Sequence, residues 1–292
     1  MPDGMTARVG DDALHRRLAH FNHERMNPGL PTVDWRDAIL EHGRMLVEEG
    51  EYIEASRARV AARAAEAPTD AGGFVAWFEA LEHGGPGQDD PLFPWLAETA
   101  TREEMCWFLT QEVAGEAGFD DLAALTQVKM PVSTKLEIAR NYWDEMGRGN
   151  PKGMHGPMLE TLAVRLGLRP TLEDTVWQSL ALANTMAALA ANRRYAFHSI
   201  GALGIIEQTA PSRAALVGVG LKRLGVPNED RHYFDLHAVL DVKHSEAWNA
   251  EAIHPLVAER PDVAFAIAEG ALMRLECGAV CFARYRAELH VG

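Results

Sequence analysis

Apolar residues recur at three- and four-residue spacing along nearly the whole of this chain, in Ala- and Leu-rich runs, and no β-branched alternation of the kind that marks a strand series interrupts them. A periodicity of this kind buries one stripe of a helix at a time, so the expected fold is all-α. Breaks fall where glycine, proline and capping residues cluster, and they predict helices over 35–67, 101–127, 133–147, 172–192, 193–208, 211–224, 229–252 and 261–289. Thr101, with Glu104 three residues later, is a capping-box pattern at the head of one of these. Asn150 and Pro151 have the character of an N-cap and a first helical residue, restarting a helix that carries His155, and Pro157 is expected to bend its early turns. The turn-rich HGGPGQDDPLFP stretch marks the expected internal boundary, dividing residues 1–95 from residues 96–292.

With 292 residues the chain has ample material for a large core. Its formal net charge of -14 weighs against nucleic acid or an anionic membrane as partner, since both need clustered Lys and Arg. The three cysteines, Cys106, Cys277 and Cys281, include no CxxC pair, so neither a disulfide framework nor a thiolate zinc site is expected. The N-terminal residues show no apolar signal region and no stretch is apolar for long enough to span a bilayer, so the expected location is the cytoplasm. A homodimer is the default expectation for an acidic enzyme of long helices.

The chemistry concentrates in YFDLHAVLDVKHSEAW, where His237, Asp241 and His244 are spaced four and three apart. At about 100° per residue they share a narrow arc of one helical face, so two imidazoles and a carboxylate point at a common spot. Imidazole with carboxylate suits zinc, manganese or non-haem iron, whereas magnesium or calcium would be held by oxygens alone. Upstream, Glu145 shares a helical face with Ile138 and Asn141, and His155 follows after the GRGN break. In HSIGALGIIEQ a single acid, Glu207, ends an apolar stripe near the expected helix end, where it must be paired, ligated or solvated; Gly201 and Gly204 allow close packing of that backbone. His198, about opposite Glu207, and His15, His20, His23 and His254, which lack matching acids, read as structural or surface histidines. Asn141, Tyr142 and Trp248 border the metal face and by default serve packing.

Together EIARNYWDEMGRGNPKGMHGPMLE, the GALGIIE run and HAVLDVKH resemble the haem-oxygenase-like diiron oxidases and oxygenases, also described as iron-containing redox enzymes, over about residues 100–290. The resemblance implies a bundle of about seven core helices, with residues 1–95 as an N-terminal helical extension. It implies two Fe(II) ions held by Glu145, His155, Glu207, His237, Asp241 and His244, with O2 as co-substrate and electrons from an external donor such as a separate reductase. It also implies a further first-helix Glu recruited when the ferrous pair meets oxygen, for which Glu112 is the choice and Glu116, one turn on, the competitor. The implied substrate is an amino-acid-like or amine-bearing small metabolite undergoing N-oxygenation, with oxidative C–C cleavage as the alternative. Hydrolytic relatives of the same fold use a pocket cysteine, and neither Cys277 nor Cys281 has an evident His or Asp partner in the sequence.

Overall fold

The computed structural model describes residues 9–115 and 118–292, and among them every regular element is a helix. In chain order they are α1 (Val9–Met26), α2 (Trp35–Ala64), α3 (Ala71–Gly84), α4 (Leu92–Glu98), α5 (Arg102–Gly115), α6 (Phe119–Thr126) and α7 (Val132–Glu145). There follow α8 (His155–Leu166), α9 (Trp177–Ala191), α10 (Ala196–Arg223), α11 (His232–Ala247), α12 (His254–Glu259) and α13 (Ala264–Leu289). None is both long and apolar enough to cross a membrane.

The axis of the bundle is α10, which packs against α11, α13 and α4, while α13 in turn packs against α9 and α2. Where α10 crosses α13, two glycines face each other's backbone. A Cβ on Gly201 would fall 1.9 Å from the Ile267 carbonyl oxygen, and one on Gly270 would fall 1.9 Å from that of His198. Only glycine permits this approach.

Two apolar cores flank the crossing. One gathers Phe74, Phe78, Ile200, Leu203, Trp248 and Ile267. The other gathers Phe93, Phe108, Leu159, Val217, Phe282 and Tyr285. The N-terminal helices contribute to the first of these: Ile53 and Val60 of α2 and Phe78 of α3 share it with Leu189 and Trp248. α1 lies on α9, where Asn22 Nδ2 donates to Asn184 Oδ1 at 2.8 Å.

Several helix boundaries differ from those the sequence predicts. The Thr101–Glu104 capping box forms, with Thr101 N donating to Glu104 Oε2 at 2.8 Å, but the helix it starts ends at Gly115 and a second begins at Phe119. The two helices expected over 193–208 and 211–224 are one, α10, with Pro211 inside it. Pro211 leaves the Glu207 carbonyl without its helical donor, yet Ala202, Ile205, Ala214, Val217 and Leu221 are buried on both sides, and their packing outweighs the lost bond. The helix expected to begin at Pro151 is a single 3-10 turn, Pro151–Gly153, and α8 starts at His155. Pro157 therefore sits in the first turn of α8, where a missing N–H has no helical acceptor to lose, and gives no reason for a bend. After α11 the chain passes through a π-helical turn, Trp248–Ile253, before α12.

Candidate metal centre

The GRGNPKGM break folds back on itself. Met146 and Met154 pair as an isolated antiparallel bridge, and Gly147, Arg148 and Gly149 take left-handed φ values of 59°, 52° and 83°. A Cβ on Gly147 would lie 2.3 Å from the Gly153 carbonyl carbon, so glycine is required at this closure. Asn150 Oδ1 accepts from Lys152 N at 3.1 Å and fixes the turn. The consequence is that the last residue of α7 and the first of α8 meet: His155 Nδ1 is 2.7 Å from Glu145 Oε2, both buried.

α10 and α11 supply the rest. Glu207 lies in the middle of α10 and is buried, not solvated near a helix end; Asn141 Nδ2 of α7 donates to its Oε1 at 2.6 Å. On α11, His237 Nδ1 donates to the Tyr233 carbonyl at 2.6 Å, which leaves Nε2 as the basic nitrogen. His244 Nε2 donates to Asp144 Oδ2 at 3.1 Å, and its Nδ1 lies 3.4 Å from Glu207 Oε2 and 3.8 Å from Asp241 Oδ1. All six residues converge as two groups, Glu145 with His155 and His237, and Glu207 with Asp241 and His244. Within each group the potential ligand atoms lie within 4.8 Å of one another.

The residues fit a metal pair on grounds of charge as well as distance. Among the described residues no arginine or lysine pairs with Glu145 or Glu207. Burial, with Glu207 close by, holds the Glu145 carboxyl well above its ordinary range. Burial, with His244 nearby, lowers His155 to about 4, and burial together with His155 lowers His237 to about 4, so both imidazoles are neutral at physiological pH. For His244 burial alone would lower the value, but Glu207 and Asp144 outweigh it and push His244 up to about 9. His155 Nδ1 and His244 Nδ1 are buried without a hydrogen bond of acceptable geometry. Crowded carboxylates and unbonded imidazole nitrogens are what a divalent cation stabilises, and a mixed N and O donor set suits iron or manganese. Asp144 on His244 and the Tyr233 carbonyl on His237 hold each ring from behind, as ligand histidines require.

Five of the six, all but His244, line a cavity of about 170 Å³, enough for a molecule somewhat larger than benzene. Glu112 lines it too, but outside both ligand groups. It faces the Tyr285 hydroxyl, and burial raises its pKa while Tyr285, Arg274 and Arg213 work the other way. Glu116, the competitor for its role, lies outside the described residues. The cavity also receives Asp120 from the first turn of α6, an acid whose charge reaches both Glu145 and His155. Asp120, Asp144, Arg213 and Arg274 carry no sequence signal, because each acquires its neighbours only through tertiary packing.

The remaining polar residues serve the fold. His198 is buried against Glu269, with Nε2 to Oε2 at 2.9 Å, and His15 stacks on Trp177 at 5.6 Å between ring centres. His20, His23 and His254 are exposed. Trp248 is fully buried and donates from Nε1 to the Ile200 carbonyl at 3.2 Å, while Tyr142 packs against the core. Cys277 approaches Thr185 Oγ1 at 3.5 Å, and burial raises both Cys277 and Cys281, the opposite of an activated thiolate.

The architecture recurs in solved structures. A CADD-like protein of unknown function from Nostoc punctiforme PCC 73102 superposes with a TM-score of 0.55 at 19% identity, over 73% of this chain and 95% of that one. A domain of unknown function with a heme oxygenase-like fold from Shewanella denitrificans OS217 does so with a TM-score of 0.53 at 14% identity, over 74% of this chain and 90% of that one. At such identities the likeness concerns the fold, which is haem-oxygenase-like. No curated protein matches the chain. Residues 106–279, which hold all six converging side chains, match the sequence pattern of the iron-containing redox enzymes, and the chain belongs to that family.

Proposed function

We propose that this chain is an O2-dependent non-haem diiron oxygenase that N-oxygenates an amino-acid-like or amine-bearing small metabolite. The observation that carries the reading is the convergence of six ligand-type residues, five of them buried, into two groups of three beside a common cavity. A ferrous pair bound there would supply two of the four electrons that O2 needs, the other two coming from the substrate nitrogen as it takes one oxygen atom and water takes the other, and an external donor would restore the pair.

The chain's own residues do the positioning. Glu145, His155 and His237 would hold one ion, and Glu207, Asp241 and His244 the other. Asp144 and the Tyr233 carbonyl fix which imidazole nitrogen of His244 and His237 is available, and Asn141 ties down one oxygen of Glu207 so that the other is free to ligate. Phe93, Phe108, Leu159 and Phe234 wall the cavity and limit access of water to the reacting atoms.

Anaerobic Fe(II) titration of the full chain is expected to saturate at two ions. Exposure to O2 with a panel of amino acids and amines should then give a product one oxygen atom heavier by mass spectrometry. A lighter, fragmented product would instead identify oxidative C–C cleavage at the same centre. Binding of neither Fe(II) nor Mn(II) at any concentration would overturn the reading.

A further inference from the structure

Beyond the ligand groups the cavity turns from acidic to basic. Glu207 and Arg213 both reach it from α10, where their Cα atoms are six residues and so about 9 Å apart along the helix axis. Arg274 of α13 lines the same region. Arg213 lies beside the edge-to-face rings of Phe93 and Phe282, at 5.8 Å and 5.6 Å from their centres. Its hydrogen bonds go to neutral groups only, Thr209 Oγ1 at 3.0 Å and Gln88 Oε1 at 3.4 Å. Arg274 makes no side-chain hydrogen bond or ion pair among the described residues, and its Nε is buried without a partner.

Two guanidiniums close enough to repel each other, in surroundings that disfavour charge, are costly to the fold. Burial and Arg274 together lower Arg213 to about 9. Among the described residues the carboxylate whose charge reaches both is Glu112, and when ionised it neutralises one positive charge of two. A purely structural arginine would have closed its valences on backbone carbonyls, as Arg223 does on Ala97 at 2.8 Å and Ala100 at 2.6 Å. Arg213 and Arg274 instead line the cavity without an ion pair among the described residues.

We propose that Arg213 and Arg274 form the recognition site for the carboxylate of an organic acid, whose apolar body runs along Ala210 and Ile206 of α10 toward the metal-ligating end. One uncompensated positive charge matches a monoanion, and the planar fork of a guanidinium matches a carboxylate. Phe93 and Phe282 exclude water around the pair, which strengthens each charge-assisted bond. This assignment rests on the proposed function for its substrate role. It narrows the substrate to an acid whose reacting nitrogen lies several bonds from its carboxylate, held at the guanidinium pair and not on the metal.

The test uses metal-free full-length protein, so that its outcome is independent of iron chemistry. Hexanoate and hexanamide, equal in length and differing in charge, are titrated by calorimetry. Hexanoate should bind at least about tenfold more tightly than hexanamide, the effect of one charge-assisted hydrogen bond. Arg213→Met and Arg274→Met, which keep the apolar stem, should each remove that advantage and leave hexanamide binding unchanged, while Glu112→Gln, which deletes the internal competitor, should strengthen hexanoate binding. Circular dichroism checks the fold of each variant, and if an arginine variant does not fold, the acid-to-amide ratio of the wild type and of Glu112→Gln decides the matter. Equal binding of acid and amide, no hexanoate binding, or full retention of the advantage in both arginine variants would overturn the assignment.

Discussion

Two buried histidine–carboxylate groups lie along α10, nine residues apart, and they are opposites in charge balance. At the first, Glu269 accepts from His198 Nε2 at 2.9 Å and from Arg57 Nε at 2.9 Å. Arg57 also reaches Glu54 at 2.6 Å, and Glu54 takes the Tyr195 hydroxyl at 2.9 Å and Arg194 at 3.1 Å. At the second, Glu207 meets His244 and Asn141, Glu145 meets His155, and among the described residues no arginine or lysine closes either acid. Residue type does not separate the two, since both offer imidazole beside carboxylate. The missing cation does: where the fold needs a polar crosslink it supplies arginine, and where it leaves carboxylates crowded the proposed ion would supply the positive charge.

The largest expected effect breaks this comparison at its open end. Asp241→Ala removes a carboxylate from between two imidazoles on one face of α11, and Fe(II) binding at that group should fall by more than about a hundredfold. His198→Ala, at the closed end, should leave iron stoichiometry at the wild-type value. Metal analysis after anaerobic loading reads both, and equal iron content in the two variants would show that the closed and open groups do not differ as described. Next in size is the reverse effect on stability. Glu269→Ala strands Arg57 and His198, at a cost of about 2–3 kcal/mol once the partial exposure of Arg57 is allowed for. Glu145→Gln in metal-free protein should cost nothing or stabilise, since burial already disfavours its charged form. Denaturant midpoints of the two variants give the comparison directly.

Much of the open group was legible in the sequence because its ligands sit at helical spacing or beside a glycine break. His237, Asp241 and His244 share a face by arithmetic alone, whereas Glu145 and His155 drew meaning from the family resemblance and needed the Met146–Met154 closure to bring them together. Glu207 was ambiguous for a definable reason: a helix ending near 208 would have left it solvated, and it is the continuation of α10 through Pro211 that buries it. The all-α fold was legible from periodicity, but helix joins were not, because whether a proline interrupts a helix depends on what packs on either side. Arg213, Arg274 and Asp144 were illegible, since their significance lies in the partners they have or lack across the bundle.

A smaller effect sharpens the comparison at His244. Asp144 Oδ2 accepts from His244 Nε2, and Arg148 also pairs with Asp144 at 2.5 Å. Burial would raise the Asp144 carboxyl, but Arg148 and His244 outweigh it and hold it below its ordinary range, so the group that orients the imidazole is ionised. Asp144→Asn keeps the shape and weakens this hold. Fe(II) affinity should drop by about 10- to 100-fold with the helical content unchanged. An affinity equal to the wild type would show that His244 is oriented without Asp144.

The smallest expected effect on iron falls at Glu112, which shares the cavity with the ligand groups yet faces Tyr285, Arg274 and Arg213. The family resemblance gives it a role after oxygen arrives, and its position sets it against the Tyr285 hydroxyl and within coulombic reach of the guanidinium pair. Each group already offers three ligand-type residues without it. Glu112→Gln should therefore bind two Fe(II) ions with affinity within about twofold of the wild type, a difference below 0.5 kcal/mol. The same variant is the one in which hexanoate binding should strengthen, so a single protein carries two readouts of opposite kind, one silent and one enhanced. Loss of an iron ion from Glu112→Gln would move this carboxylate into the ligand set and erase the distinction between the acidic and basic ends of the cavity.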